Sequence, residues 1–321
     1  MKVLVTGGAG YIGSITVKQL LEAGNDVTVF DNLSQGHKET VSCPLVIGDL
    51  LKKEDLLKLN GYSFDAVIHF AAYTLAGESM QNPEKYFRNN ILGGLNLLEY
   101  MKEHKIPFII FSSTCAIYGT PEKIPVTEEE SKKPESVYGE SKLMFETVLR
   151  WYDRLFGIKY INLRYFNACG GSIDGSLGEE HSPETHIIPV AMQALRANRP
   201  FSLFGTDYPT KDGTCIRDYI HVEDLATAHI QALEKLQTTK ESDSINLGTG
   251  IGYSNREILD MVQKVSGKML SIIEVSRRLG DPPIVYADNN KAKSVLGFSP
   301  RYSDLESIVR TAWDWQMKHK Q

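Results

Sequence analysis

The start of the chain constrains its fold more than any other part. Lys2–Thr6 is a short apolar run that enters Gly7-Gly8-Ala9-Gly10-Tyr11-Ile12-Gly13, and a helical spacing follows through Leu21. The glycines satisfy both GxxGxxG and GxGxxG, and either spacing serves the same physics. Early glycines permit a tight turn, a bare Cα lets the backbone approach a pyrophosphate, and the last glycine lets the helix pack closely on the strand. Exposed N–H groups and the helix dipole then favour phosphate. Asp31 lies 18 residues beyond Gly13, at the end of the second apolar run. A carboxylate there accepts hydrogen bonds from a ribose diol and repels a 2′-phosphate, which favours NAD over NADP. Gly48-Asp49-Leu50 follows the third apolar run; Asp49 either meets an adenine edge or caps a helix.

Further apolar runs at Ala66–Phe70, Phe108–Phe111 and Tyr160–Leu163 alternate with helical stretches such as Asn90–Met101. Continuous apolar strands separated by helices predict a parallel sheet covered on both faces, a doubly wound α/β (Rossmann-type) unit. After Asn167 the texture changes to a glycine- and acid-rich loop, and the regular alternation stops. The expected division is residues 1–168 as a dinucleotide-binding domain and 169–321 as a second, smaller α/β domain. Tyr219–Leu233 again reads as strand then helix, so the segment around 217–235 is expected to pack back on the first unit.

Composition narrows the partners. A net charge of −5 with no basic tract argues against nucleic acid. Cys43, Cys115, Cys169 and Cys215 are widely spaced, and the eight histidines show no HExxH. These read as reduced thiols in a cytoplasmic protein without a metal. The chain begins with a strand instead of a signal peptide, and no run reaches the roughly 18 apolar residues of a membrane span.

Tyr138-Gly139-Glu140-Ser141-Lys142 opens a helical stretch, and Tyr138 is the only one of the 15 tyrosines with Lys four residues on. Residues four apart share a helix face, so the ammonium is expected to favour the phenolate. A phenol with an ordinary pKa of about 10 is a poor base at neutral pH, and nearby cations make it useful for proton transfer. Phe111-Ser112-Ser113-Thr114 ends a strand and offers hydroxyls at the carboxyl edge of the sheet, where ligands of such folds sit.

Taken together, these residues resemble the extended short-chain dehydrogenase/reductase superfamily and, within it, the UDP-glucose 4-epimerases. The resemblance runs from Val3 to Trp313-Asp314-Trp315. It rests on Val5–Ser14, Val67-Ile68-His69-Phe70-Ala71, Gly77-Glu78-Ser79, Leu163-Arg164-Tyr165-Phe166-Asn167, Gly213-Thr214 with Arg217–Val222, and Arg278 with Gly280-Asp281-Pro282. It implies an NAD-dependent inversion at C4 of a UDP-hexose through a transient 4-keto sugar, in a homodimer built from helices of the first domain, with the second domain holding the UDP-sugar. Tyr138 would be the acid/base, Lys142 would hold the nicotinamide ribose, and Thr114 would bond the sugar 4-hydroxyl. Gly7, Gly10, Tyr11, Ile12, Gly13, Asp31, Asn32, Asp49, Leu50, Phe70, Ala71, Asn90, Ser112 and Tyr165 would line the NAD site with Tyr138 and Lys142. Asn167, Phe204, Arg217 and Arg278 would grip the UDP, with Asp281 near its ribose.

Arginine suits a diphosphate because its fork is planar and always charged. Arg217 and Arg278 also have Asp218 and Asp281 as ion-pair partners at hand, and the two uses are compatible. His186 stands where the resemblance expects Asn near the diphosphate, or else it serves as a cap. Thr74 falls where many bacterial members carry a phosphate-contacting Lys. Val285 occupies a position that gates substrate breadth, and its small size implies room for an N-acetyl group unless it is merely packed. A 4,6-dehydratase or decarboxylase would need an acid after Thr114, where Cys115-Ala116 stand. A non-catalytic NAD-binding sensor or scaffold would not need both Tyr138 and Lys142.

Overall fold

The computed structural model describes residues 1–278 and 280–319. Its strands are β1 (Lys2–Thr6), β2 (Asp26–Asp31), β3 (Leu45–Ile47), β4 (Ala66–His69), β5 (Phe108–Thr114), β6 (Lys159–Tyr165), β7 (Asn167–Cys169), β8 (Phe201–Phe204), β9 (Ile216–His221), β10 (Asp243–Leu247), β11 (Gly252–Ser254), β12 (Ile272–Val275) and β13 (Ile284–Val285). The helices are α1 (Tyr11–Glu22), α2 (Lys53–Leu56), α3 (Ala76–Gln81), α4 (Pro83–Phe87), α5 (Gly93–Glu103) and α6 (Val137–Phe156), followed by α7 (Ile187–Arg196), α8 (Val222–Thr239), α9 (Asn255–Ser266), α10 (Asn290–Leu296) and α11 (Leu305–His319).

Seven strands form one parallel sheet in the order β10-β6-β5-β4-β1-β2-β3. Successive side chains of a strand point to opposite faces, and both faces here are apolar. Val3, Val5, Ile68, Ile110, Ile161 and Leu163 pack with Val17 and Leu20 of α1 and Leu225, Leu233 and Leu236 of α8. The alternate residues Leu4, Val67, Ile109 and Phe111 pack with Leu97 and Met101 of α5 and with Phe145 and Leu149 of α6. The unbroken apolar runs in the sequence are therefore strands covered on both sides, and the fold is the doubly wound α/β class.

The chain leaves this sheet and returns to it. After Tyr165 ends β6, Phe166 intervenes, and Asn167 begins β7, which pairs with β9 in a separate small sheet with β11 and β13. α8 packs against β5 and β6, and β10 then pairs along β6 from Asp243↔Ile161 to Leu247↔Tyr165. A third cluster, with Ile188, Met192, Leu203, Leu259, Val262 and Ile308, is built by α7, α9, α11 and the paired strands β8 and β12. Among the described residues no helix is long and apolar enough to cross a membrane.

A buried ion pair fastens α6 to the sheet. Arg164 on β6 donates from Nε to Glu146 Oε1 at 2.9 Å and from Nη2 to Glu146 Oε2 at 2.6 Å. Ser113 donates to the same carboxylate at 2.6 Å, and Arg164 also donates to Tyr118, whose hydroxyl reaches Asn246 of β10 at 2.7 Å. Removing one member of such a pair leaves an uncompensated charge, at a cost of about 3–5 kcal/mol, whereas replacing both with apolar side chains is often neutral. Arg164→Met is accordingly expected to lower the unfolding free energy by roughly that amount, and Arg164→Met with Glu146→Leu to recover most of it, as read by denaturant melts. Equal losses in the two variants would contradict this account.

Candidate active site

The glycine turn joins β1 to α1, and each glycine there answers a different demand. Gly7 has φ +75°, and a Cβ on it would stand 2.5 Å from the Ala71 nitrogen at the end of β4. A Cβ on Gly13 would meet the Gly7 carbonyl oxygen at 2.2 Å, so α1 rests directly on the turn. Gly10 differs, because a Cβ there would find only that same carbonyl, at 3.4 Å. The protein itself leaves room at Gly10, which fits a cradle kept open for a bound group. Gly10 is also the N-cap of α1 and offers no side chain to the first-turn N–H groups, so these remain available to an anion.

The other residues predicted for NAD surround the carboxyl ends of the same strands. The Asp31 carboxylate, buried at the end of β2, accepts from Ala9 N at 3.0 Å and Leu33 N at 2.8 Å. Burial raises its pKa, and those backbone bonds oppose the rise. Asn32 is exposed and accepts from Ser34 N at 3.0 Å. Phe70 N and Ala71 N both donate to Thr6 O, next to Gly7. The Tyr11 hydroxyl donates to Gly170 O at 2.6 Å, which ties the turn to the loop after β7. Asp49 is not a helix cap: its carboxylate accepts from Leu51 N at 2.9 Å, whereas α2 begins after Lys52. The Leu50 carbonyl is held by Asn96 at 2.8 Å. Asn90 is buried, with its amide bonded to both backbone groups of Tyr73 and to Ser141 Oγ at 3.0 Å. It therefore clamps the loop after β4 onto α6. Thr74 in that loop is exposed.

Tyr138 and Lys142 lie one turn apart at the start of α6. Ser136 caps this helix through Gly139 N at 3.1 Å, and Ser79 Oγ accepts from Tyr138 N at 3.1 Å. The sequence reading missed Ser79 as a positioning residue, although it lies within the Gly77-Glu78-Ser79 motif. The buried ammonium of Lys142 donates to Ser112 O at 2.8 Å and stands 4.8 Å from the Phe111 ring centre and 6.0 Å from that of Tyr138. The Ser112 hydroxyl in turn bonds the Tyr165 hydroxyl. Thr114 ends β5 with its hydroxyl accepting from Ala116 N at 3.1 Å.

The electrostatics correct one expectation. Burial pushes the Tyr138 phenol up to about 12, and contact with the Thr114 hydroxyl only partly offsets that rise. Burial likewise pulls the Lys142 ammonium down to about 7. Four-residue spacing does place the cation near the phenol, but desolvation moves both groups toward their neutral forms. The protein's own groups therefore do not make Tyr138 a phenolate at neutral pH.

The residues predicted to grip a nucleotide diphosphate come from the second half. Arg217 on β9 lies beside Val285 of β13 in register, and Asn167 of β7 beside Tyr219. The Asn167 amide donates to Asp218 O at 2.8 Å. Arg217 pairs with Asp281 at 3.7 Å, whereas the buried Asp218 accepts from the backbone of Thr249, Gly250 and Ala287. Arg278 stacks over Phe204, 4.0 Å from the ring centre. His186 stands at the N-cap of α7 without capping it and bonds Glu179 instead. The Cys115 thiol is pushed up to about 12 by burial, with Arg217 close enough to oppose the rise. The two halves thus meet at the end of β5, where Thr114 is followed by a neutral thiol and not by an acid. Val285 is buried with Ile117, Tyr118 and Phe166.

A family model described as the NAD dependent epimerase/dehydratase family matches residues 3–248. The chain belongs to that family. Within the family it is 46% identical over 323 residues to a UDP-glucose 4-epimerase of Lactobacillus helveticus, covering 99% of this chain and 98% of that protein. It superposes on a UDP-glucose 4-epimerase of Brucella ovis, crystallised in complex with NAD, with TM-score 0.95, 47% identity and 97% of each chain covered. A UDP-Glc/GlcNAc 4-epimerase of Campylobacter jejuni is also similar, with TM-score 0.86, 40% identity and 99% of each chain covered.

The contrast between Gly10 and Gly13 gives a direct test of the cradle. Gly10→Ala is expected to melt within a degree or two of the parent but to bind NAD about tenfold more weakly, roughly 1.4 kcal/mol. Gly13→Ala is expected to lose about 1–3 kcal/mol of stability through overpacking. Calorimetry of each protein, with and without NAD, reads both effects.

Proposed function

We propose that the chain inverts C4 of a UDP-hexose, interconverting UDP-glucose and UDP-galactose. The observation that carries this reading is the convergence of Tyr138, Lys142 and Thr114 at the end of β5, between the glycine turn and Arg217. In this reading Tyr138 takes the proton of the sugar 4-hydroxyl and later returns one, while Thr114 orients that oxygen. Lys142, held by the Ser112 carbonyl, binds the nicotinamide ribose. NAD, when bound, accepts and returns the C4 hydride, and its charge opposes the burial penalty on a Tyr138 phenolate. Asn167, Arg217, Arg278, Phe204, His186 and Asp281 hold the UDP firmly, leaving the hexose free to present its other face. By function the chain divides into an NAD-binding part, residues 1–168 joined by α8 and β10, and a UDP-sugar-binding remainder.

The absence of an acid after Thr114 weighs against dehydration and decarboxylation, and the presence of both Tyr138 and Lys142 weighs against a scaffold. Purified protein given UDP-galactose without added NAD is expected to form UDP-glucose. Tyr138→Phe is expected to reduce kcat about 10²–10⁴-fold with its circular dichroism unchanged. No interconversion by the parent protein would end the proposal.

Substrate breadth rests on Val285. A valine at the edge of the small sheet takes less room than an aromatic residue, and this supports acceptance of UDP-N-acetylglucosamine. Val285→Tyr is expected to abolish turnover of the N-acetyl sugar while sparing UDP-glucose; a parent protein inactive on the N-acetyl sugar would refute this part.

We further read the protein as a cytoplasmic homodimer. Its four cysteines carry no disulfide. Met144, Trp151 and Leu155 are exposed at spacings of seven and four along α6, which puts an apolar stripe on one helix face. Light scattering is expected to give twice the monomer mass, and Leu155→Glu to halve it. A monomeric parent would refute the assembly.

A further inference from the structure

The loop between β7 and α7 carries a side-chain cluster of which the epimerase reading uses only His186. Glu179, His181, Glu184 and His186 each offer a ligand atom, and these atoms all lie within 4.8 Å of one another. The Glu179 side chain is only 7% exposed, and its Oε1 faces both imidazoles, 3.1 Å from His181 Nδ1 and in contact with His186 Nδ1. Glu184 is deeper still, with its side chain 4% exposed. Its Oε1 accepts from the backbone N–H groups of Thr185 at 2.8 Å and His186 at 3.0 Å. Its Oε2 is buried and has no hydrogen-bond partner among the described residues, although it lies 3.8 Å from His181 Nδ1.

Hydrogen bonding between the histidines and Glu179 accounts for three of these side chains but not for the fourth. An orphaned buried carboxylate oxygen is costly, and a second carboxylate beside it adds repulsion. One divalent cation would neutralise both carboxylates and give Glu184 Oε2 its missing partner. Two imidazole nitrogens with two carboxylate oxygens suit a borderline ion in a tetrahedral site. Calcium and magnesium prefer oxygen alone, and copper(I) prefers thiolate.

We propose that Glu179, His181, Glu184 and His186 form a zinc(II) site, contrary to the sequence expectation of a metal-free protein. Trp315 Nε1 donates to the backbone carbonyl of Glu179 at 3.3 Å, which holds this part of the loop in place. His181 packs edge-on against Tyr11 of the glycine turn, with ring centres 6.1 Å apart. The ion thus fastens the loop that covers the start of α1. The ion has no role in the C4 chemistry, and of its ligands only His186 is shared with the proposed UDP site, so His181 and Glu184 test it apart from the epimerase reading.

The test uses full-length protein with its own NAD, freed of any affinity tag and dialysed against a chelator. Zinc titration is expected to show one ion bound per chain, and one equivalent of cobalt(II) to give the intense visible absorption of a tetrahedral site. His181→Ala and Glu184→Gln are each expected to weaken zinc binding at least about tenfold, with NAD content and circular dichroism unchanged. No cobalt band in the parent protein would overturn the proposal without recourse to variants. Zinc binding insensitive to both substitutions would overturn it as well, because the ion would then sit elsewhere.

Discussion

The hydrogen bond from the Lys142 ammonium to the Ser112 carbonyl joins the two requirements of this protein. The buried amine has left water, and in return it has that carbonyl and the faces of Phe111 and Tyr138. Lys142 can sit there only because α6 lies flat on β5 and β6, where the Glu146–Arg164 pair pins it. The same burial that lowers the lysine pKa raises that of the tyrosine. Such a pair responds strongly to a positive charge placed beside it, because little water intervenes to screen the effect.

A second constraint is the single residue between β6 and β7. Tyr165 still belongs to the large sheet and holds Ser112, while Asn167 already belongs to the small sheet. Phe166 is buried with Val285 and Ile117 and donates its N–H to Leu247 O. This single residue therefore fixes how β7 and β9 face the carboxyl edge of the large sheet. The return of α8 and β10 to the large sheet braces that junction from the far side.

Much of this was legible in the sequence because local rules sufficed. The glycine turn has a steric meaning that spacing alone conveys, and the apolar runs marked β1, β2, β4, β5 and β6 because strands buried on both faces tolerate little else, whereas the half-exposed edge strand β3 was marked by its apolar run alone. β10 escaped notice because its sequence, Asp243-Ser244-Ile245-Asn246-Leu247, alternates polar and apolar residues and reads as an exposed strand. Its Asn246 is in fact buried and satisfied by Tyr118 and Val126. The Arg164–Glu146 pair was invisible for a similar reason: residues 18 apart in sequence meet only when β6 and α6 pack together. Asp49 and His186 show the limits of spacing arguments about caps, since each occupies a plausible capping position and spends its side chain on a nearer partner.

By itself, the sequence determined the class of fold, the glycine turn between the first strand and helix, and the tyrosine and lysine that share a helix face. These follow from steric and periodic rules acting over a few residues. Only the tertiary structure decided that burial pushes the tyrosine and lysine away from their charged forms, that Arg217 shares Asp281, and that a buried carboxylate oxygen near His181 lacks a partner among the described residues. Those are matters of desolvation and of contacts between distant segments, and no local pattern records how much water a side chain will lose.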